Sequence, residues 1–448
     1  MHGTDLPGGG AGGPAGAAPP ELRFDVEELT RVEGEGSLRL RMRGTEVVEA
    51  RLNIFEAPRY FEQLVLGRTP DEVIDIVARI CGICPVAYQM SAVHAFEDLF
   101  GVTVDPEVRR LRRLFYCGEW LESHALHVYL LHAPDFLGYD SAVAMARDLR
   151  PLVERGLRLR RAGDSIIAAI GGRPIHPVSV RVGGFSRAPR RTVLEGLRPL
   201  LEQALEDALA TVRLAATFEA PAMERVARLV SMRHPTEYPF NDGRIVSSDG
   251  LDIALPAWRD AFSEYQVEGS NALYARAADG SAYLLGPSAR IALAGPQLHP
   301  LARRELEATG LASEIASNIF RSVVARGVEL VHAAAEALEL VEGYRPPAEA
   351  LVPWTSRPGI AAWATEAPRG LLFHRYEVDE RGRVAAAQIV PPTSQNQAAI
   401  EADLRVFAPT VLHLSHVEAQ RRLEQLVRSY DPCISCATHF LDLTVEEA

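Results

Sequence analysis

The sequence predicts a mainly helical α+β protein, with a large helical core and a small N-terminal β-hairpin or sheet. Three observations carry this reading. Strict alternation of apolar and polar residues is concentrated near the N-terminus, apolar residues recur at three and four positions over most of the remaining chain, and a 47% hydrophobic content in 448 residues is enough to bury a large core.

Residues 37–43 read S-L-R-L-R-M-R, and after the turn at Gly44-Thr45 the run EVVEARLNIF follows, which predicts a hairpin with one buried face. From Pro70 the pattern turns helical: DEVIDIVARI leads into a first cysteine pair and QMSAVHAFEDLF continues beyond it, so that pair sits at a helix junction. Helical patterns follow over 106–133, 140–170, 190–230 and 300–342, separated by Pro/Gly-rich connections such as GGRPIHPVSVRVGGF. A second β-like alternation, HRYEVDERGRVAAAQIV, contains the turn signal Asp379-Glu380-Arg381-Gly382, and a final helix over 397–429 precedes the last cysteine pair. Residues 1–20, rich in Gly, Ala and Pro, read as a disordered leader. Residues 21–448 show no repeat and no long linker, and read as a single domain.

Charge and composition exclude several classes. The net charge of −12 comes from mixed acidic and basic residues, and no Lys/Arg stripe interleaved with aromatics marks a nucleic-acid surface. The apolar stretches are broken by charges such as Arg79 and Glu97, so no membrane span is expected. The leader has neither the basic start nor the apolar middle of a secretory signal, and its Gly8-x-Gly10-x-x-Gly13 match lacks the strand and helix of a dinucleotide site. The five cysteines, Cys81, Cys84, Cys117, Cys433 and Cys436, form a sparse and odd set that suits a reducing compartment, which makes the cytoplasm the expected location.

Cys81-Gly-Ile-Cys84 and Cys433-Ile-Ser-Cys436 each place two thiols within chelating reach of one metal. Either pair alone fits half a zinc site, a redox pair or chance. A zinc ribbon brings its pairs within a few tens of residues, whereas here nearly the whole chain separates them. That separation suits a site at the centre of a large domain, although a structural zinc scaffold without catalysis remains the alternative on spacing alone.

The surrounding residues carry a resemblance. Arg79-Ile-Cys81-Gly-Ile-Cys84-Pro and Asp431-Pro-Cys433-Ile-Ser-Cys436-Ala-Thr-His439 are similar to the two signature motifs of nickel–iron hydrogenase large subunits. They are joined, in the family order, by LTRVEGEG (29–36), APRYFEQLVLGR (57–68), HPVSVRVGG (176–184), EAPRG (366–370) and PPTSQN (391–396). The resemblance implies the fold of that family and reversible cleavage of H2. It also implies that all four cysteines bind nickel, with Cys81 and Cys433 terminal and Cys84 and Cys436 bridging to an iron that carries CO and cyanide. Thiolate donation makes nickel electron-rich, and a thiolate beside the metal, such as that of Cys433, can accept the proton from H2.

By the same resemblance Glu33 relays protons, a task that needs a carboxylate able to change protonation state. Glu62, His439 and the backbone carbonyl of Ile389 match the ligands of a magnesium or similar divalent ion, for which oxygen donors are suited. Arg369 resembles the arginine over the iron's diatomic ligands, and Pro392 and Thr393 resemble residues around the cyanides. Read without the motifs, Glu33, Glu62 and Arg369 would be an exposed strand-entry residue, a solvated helix face and an ordinary ion-pair partner. Two positions depart from many relatives, which have histidine where this chain has Tyr88 and Glu35; a tyrosine can donate a hydrogen bond but cannot become a cation. His94, His124, His127 and His132 lie on helical stretches with no metal motif and read as core or interface residues.

Only Cys117 remains outside the two pairs, too few to hold an iron–sulfur cluster, so electrons must leave through another chain. The resemblance implies an iron–sulfur small subunit and, in the soluble NADP-linked branch whose wording NIFEAPRYFE and CGICPVAYQMSAVHAFE are similar to, further subunits with flavin and an NAD(P) site. Family precursors often end in a cleaved peptide. With nine residues after His439, this chain either matures uncut or loses FLDLTVEEA.

Overall fold

In a computed structural model of the chain, residues 21–225 and 227–438 are described. The expected leader over 1–20 and His439 lie outside them.

The predicted hairpin forms and gains a strand. β1 (Glu21–Val26), β2 (Gly36–Arg43) and β3 (Glu46–Ile54) make an antiparallel sheet in the order β1-β2-β3. Leu38, Leu40 and Met42 are buried, while Arg39 and Arg43 point outward, which is the alternation a one-sided sheet requires. Gly44, at φ 61°, makes the turn in the left-handed region that favours glycine.

The first cysteine pair lies at the predicted helix junction. The helix Pro70–Val77 starts with a capping box in which Thr69 and Glu72 satisfy each other's backbone N–H groups. The chain then passes Cys81, and the helix Pro85–Phe100 begins immediately after Cys84, its fixed proline φ suited to the first turn. Four long helices form the centre: Pro106–Ala125, Arg150–Gly171, Arg198–Ala216 and Ser322–Glu342. Gly118 and Gly163 let two of them touch backbone to backbone, since a Cβ on Gly163 would lie 2.3 Å from the Gly118 carbonyl oxygen. His124, His127 and His132 are buried among these elements and His94 is half-buried. Burial pushes each ring's pKa down, which keeps it neutral.

Several helix boundaries differ from expectation. The pattern over 106–133 is α-helical to Ala125 and continues as the π-helical turn Leu126–His132. The pattern over 190–230 ends at Ala216, and Arg228–Arg233 is a strand paired antiparallel with Arg244–Ser247 and parallel with Tyr283–Leu284. A short apolar run such as RLVSMR has no periodicity that separates strand from helix, and strand partners distant in sequence decided it. Gly310, at φ 68°, ends the helix Pro300–Thr309 and interrupts the 300–342 pattern. The expected final helix is two, Pro392–Phe407 and His416–Ser429, the first starting before the predicted residue 397.

The second alternation folds as the strands Gly370–Val378 and Val384–Val390. A strand missed in the sequence, Gly359–Ala367, completes this antiparallel sheet. Because Ala367 pairs with Gly370, Pro368 and Arg369 occupy the tip of a tight hairpin.

Candidate metal centre

The two cysteine pairs converge. The sulfurs of Cys81, Cys84, Cys433 and Cys436 all lie within 4.8 Å of one another, and all four side chains are buried and outside any disulfide. The first members of the pairs face each other, Cys81 to Cys433 at 3.6 Å, as do the second members, Cys84 to Cys436 at 3.8 Å. The shortest separation lies within the second pair, Cys433 to Cys436 at 2.7 Å.

The C-terminal cysteine loop is held in register by the N-terminal segment RVEGEG. Glu33 forms a parallel bridge with Cys433, its carbonyl accepts the Ile434 N–H at 2.9 Å, and its carboxylate accepts the Ser435 N–H at 3.1 Å. Gly34 has to be glycine: its φ is 88°, and a Cβ there would stand 2.7 Å from Ile434 Cβ and 2.9 Å from the Ser435 nitrogen. From the other side, the Thr393 hydroxyl accepts the Cys433 N–H at 2.9 Å.

Arg59, to which the sequence reading gave no role, clasps both loops. Its guanidinium donates to the Ile80 carbonyl at 2.7 Å and to the Ser435 carbonyl, and its backbone N–H donates to Thr438 at 2.6 Å. Its place in APRYFEQ beside Glu62 was the only available signal.

The family model for nickel-dependent hydrogenases matches residues 59–150 and 279–439, spans that contain both cysteine pairs. This chain belongs to the nickel-dependent hydrogenase family. The sulfhydrogenase 1 subunit alpha of Pyrococcus furiosus is 32% identical over 94% of this chain and 99% of its own length. The NAD-reducing hydrogenase HoxS subunit beta of Cupriavidus necator is 29% identical over 93% and 94%. Among solved structures, an NAD+-reducing [NiFe]-hydrogenase in its H2-reduced state superposes with a TM-score of 0.85 at 27% identity, covering 94% of this chain and all of that one. A [NiFeSe]-hydrogenase from Dm. baculatum shares the fold at a TM-score of 0.78.

The residues of this hydrogenase fit a thiolate-bound metal. Burial pushes the thiols of Cys84, Cys433 and Cys436 up. Burial acts in the same sense on Cys81, but hydrogen bonds from the other three sulfurs and the charge of Arg369 outweigh it and hold that thiol well below its ordinary value. Four buried sulfurs can be deprotonated together only if a cation compensates their charge, and a soft divalent metal does so.

Arg369 is buried within electrostatic reach of Cys81, Cys84 and Cys433, with Nε donating to the Asp431 carbonyl at 2.9 Å and Nη2 to its carboxylate at 3.1 Å. Its Nη1 has no partner among the described residues, so it is a buried donor available to a ligand. Pro392 opens the helix Pro392–Phe407 behind the hairpin that carries Arg369.

Glu62 and Ile389 are also brought together. The Glu62 carboxylate accepts the Ile389 backbone N–H at 2.7 Å; the third expected ligand of that ion, His439, is not described. Tyr88 is buried, and burial pushes its hydroxyl well above the ordinary phenol value, so it stays a neutral donor. Glu35 is exposed, and its backbone N–H donates to Glu56 at 3.1 Å.

Proposed function

We propose that this chain is the catalytic large subunit of a nickel–iron hydrogenase that splits and forms H2 reversibly. The observation that carries the reading is the four-sulfur cluster, with the unpartnered Nη1 of buried Arg369 beside it. Cys81 and Cys433 would hold nickel as terminal ligands. Cys84 and Cys436 would hold nickel as well and would also serve as the sulfur ligands of an iron carrying CO and cyanide. When bound, the metal pair supplies a redox-active Lewis acid at which H2 is polarised for heterolytic cleavage.

The protein's own groups do the rest. The Cys433 thiolate accepts the proton, and Glu33, bridged to Cys433 and only half-buried, passes it toward solvent. Arg369 Nη1 would donate to a cyanide nitrogen, and the Thr393 hydroxyl, which takes the Cys433 N–H on its oxygen, keeps its own proton for a second donation beside Pro392. Glu62, the Ile389 carbonyl and His439 would bind magnesium or a similar ion, which would pin the C-terminal segment.

Electrons leave to an iron–sulfur small subunit and onward to flavin and NAD(P)-binding subunits in the cytoplasm. The NAD-reducing and sulfhydrogenase relatives support this route, as does the solitary, buried Cys117. No described helix is long and apolar enough to cross a membrane. Metal analysis and infrared spectroscopy of the purified complex test the proposal. Nickel, iron and absorption bands of metal-bound CO and cyanide are expected, and zinc without nickel refutes it.

A further inference from the structure

The helix Pro85–Phe100 raises an accounting question at its N-terminus. A helix leaves its first N–H groups without intrahelical partners, and the N-cap side chain ordinarily accepts one of them. Here the N-cap is Cys84, and its sulfur takes none.

Each donor is nevertheless accounted for. The Cys84 N–H donates to Cys81 Sγ at 3.2 Å, and Pro85 has no N–H. The Val86 and Ala87 N–H groups go to the carboxylate of Glu119, on the neighbouring helix Pro106–Ala125, at 2.6 Å and 3.2 Å. Glu119 is completely buried. The two thiolates of the first pair consequently differ: Cys81 Sγ accepts two backbone N–H groups, from Ile83 and Cys84, whereas Cys84 Sγ accepts none among the described residues.

A hydrogen bond to a thiolate occupies a lone pair and withdraws electron density. A terminal ligand can spare that lone pair; a sulfur bound to two metals cannot. We propose that Glu119 is a positioning residue that caps the 85–100 helix in place of its N-cap side chain, and so keeps Cys84 Sγ unencumbered for bridging. This rests on the assignment of Cys84 as a bridging ligand. It does not depend on the charge of Glu119, since the carbonyl oxygen of a carboxyl accepts N–H donors in either protonation state.

The test uses the complete complex, purified anaerobically, as wild type, Glu119→Gln and Glu119→Met. Glutamine keeps an acceptor, and methionine keeps the volume without one. Nickel and iron per chain and the nickel electron paramagnetic resonance spectrum are read on protein whose circular dichroism matches wild type. The expected result is that Glu119→Gln keeps both metals and the wild-type spectrum. Glu119→Met, which leaves the Val86 and Ala87 N–H groups without their acceptor, loses iron relative to nickel by about tenfold or more, the scale on which uncompensated buried donors act, and its spectrum changes. A folded Glu119→Met variant with the wild-type iron-to-nickel ratio and spectrum overturns the proposal. So does a folded Glu119→Gln variant with an altered spectrum, which applies even if Glu119→Met does not fold. A wild-type complex without iron overturns the bridging assignment itself, and is told apart because the deficit precedes any substitution.

Discussion

Glu33→Gln separates the two jobs of this residue. The first is structural: the Glu33 carbonyl holds Ile434, and its side-chain oxygen accepts the Ser435 N–H at 3.1 Å. Glutamine retains the carbonyl and an acceptor oxygen of the same reach, so the C-terminal cysteine loop keeps its place and nickel content is unchanged. The second job is proton transfer, which an amide cannot perform because it does not take up and release a proton near neutral pH. General acid–base groups contribute 10²–10⁴-fold, so H2/D+ exchange should fall by about 100-fold or more, equivalent to about 3 kcal/mol on the barrier. Exchange is followed by mass spectrometry on the purified complex, with nickel measured on the same sample. Wild-type exchange in a nickel-replete Glu33→Gln variant would show that protons leave by another path and refute the reasoning. Loss of nickel would show that the charge, and not the hydrogen bond, holds the loop.

Arg59→Ala removes the donor that ties the Ile80 and Ser435 carbonyls together, and should lower nickel content and thermal stability by about 1.5–3 kcal/mol; an unchanged melting profile with full nickel would contradict the clasp. Gly34→Ala forces a Cβ into Ile434 and Ser435 at a left-handed φ and should cost about 1–3 kcal/mol in strain, read as reduced nickel incorporation. Asp403, which accepts the Tyr430 hydroxyl at 2.5 Å and pairs with Arg225, is pushed up to about 6, first by burial. Its folded pKa lies above the unfolded value, so its contribution is fully present below about pH 4 and is lost as pH rises through about 6, amounting to about 3 kcal/mol. Melting curves of wild type and Asp403→Asn should therefore differ in their pH dependence between about pH 4 and 6, and parallel profiles would rule this out.

The elements legible in the sequence were those whose pattern is local. The β2–β3 hairpin, the turn at Asp379–Gly382 and the helices flanking Cys81 and Cys84 follow from alternation, glycine placement and three-four periodicity. The strands Arg228–Arg233 and Gly359–Ala367 were missed because each takes its identity from its pairing partners. Within the site, the motifs flagged Glu33, Arg369 and Thr393, and the structure sets Glu33 and Thr393 against the Cys433 loop and Arg369 against Asp431. Arg59 and Glu119 were not flagged, because their partners are backbone groups of segments that leave no signature at the donor or acceptor position.

By itself the sequence determined the chemistry on offer: four soft sulfur donors in two chelating pairs, with the hairpins and helices that local patterns write. Only the tertiary structure decided that the pairs meet around one point although 352 residues separate Cys81 from Cys433. Nothing local records such a meeting. It results from burial of the helices and sheets against one another, which fixes where each loop emerges, and from a few long-range hydrogen bonds that set its final position.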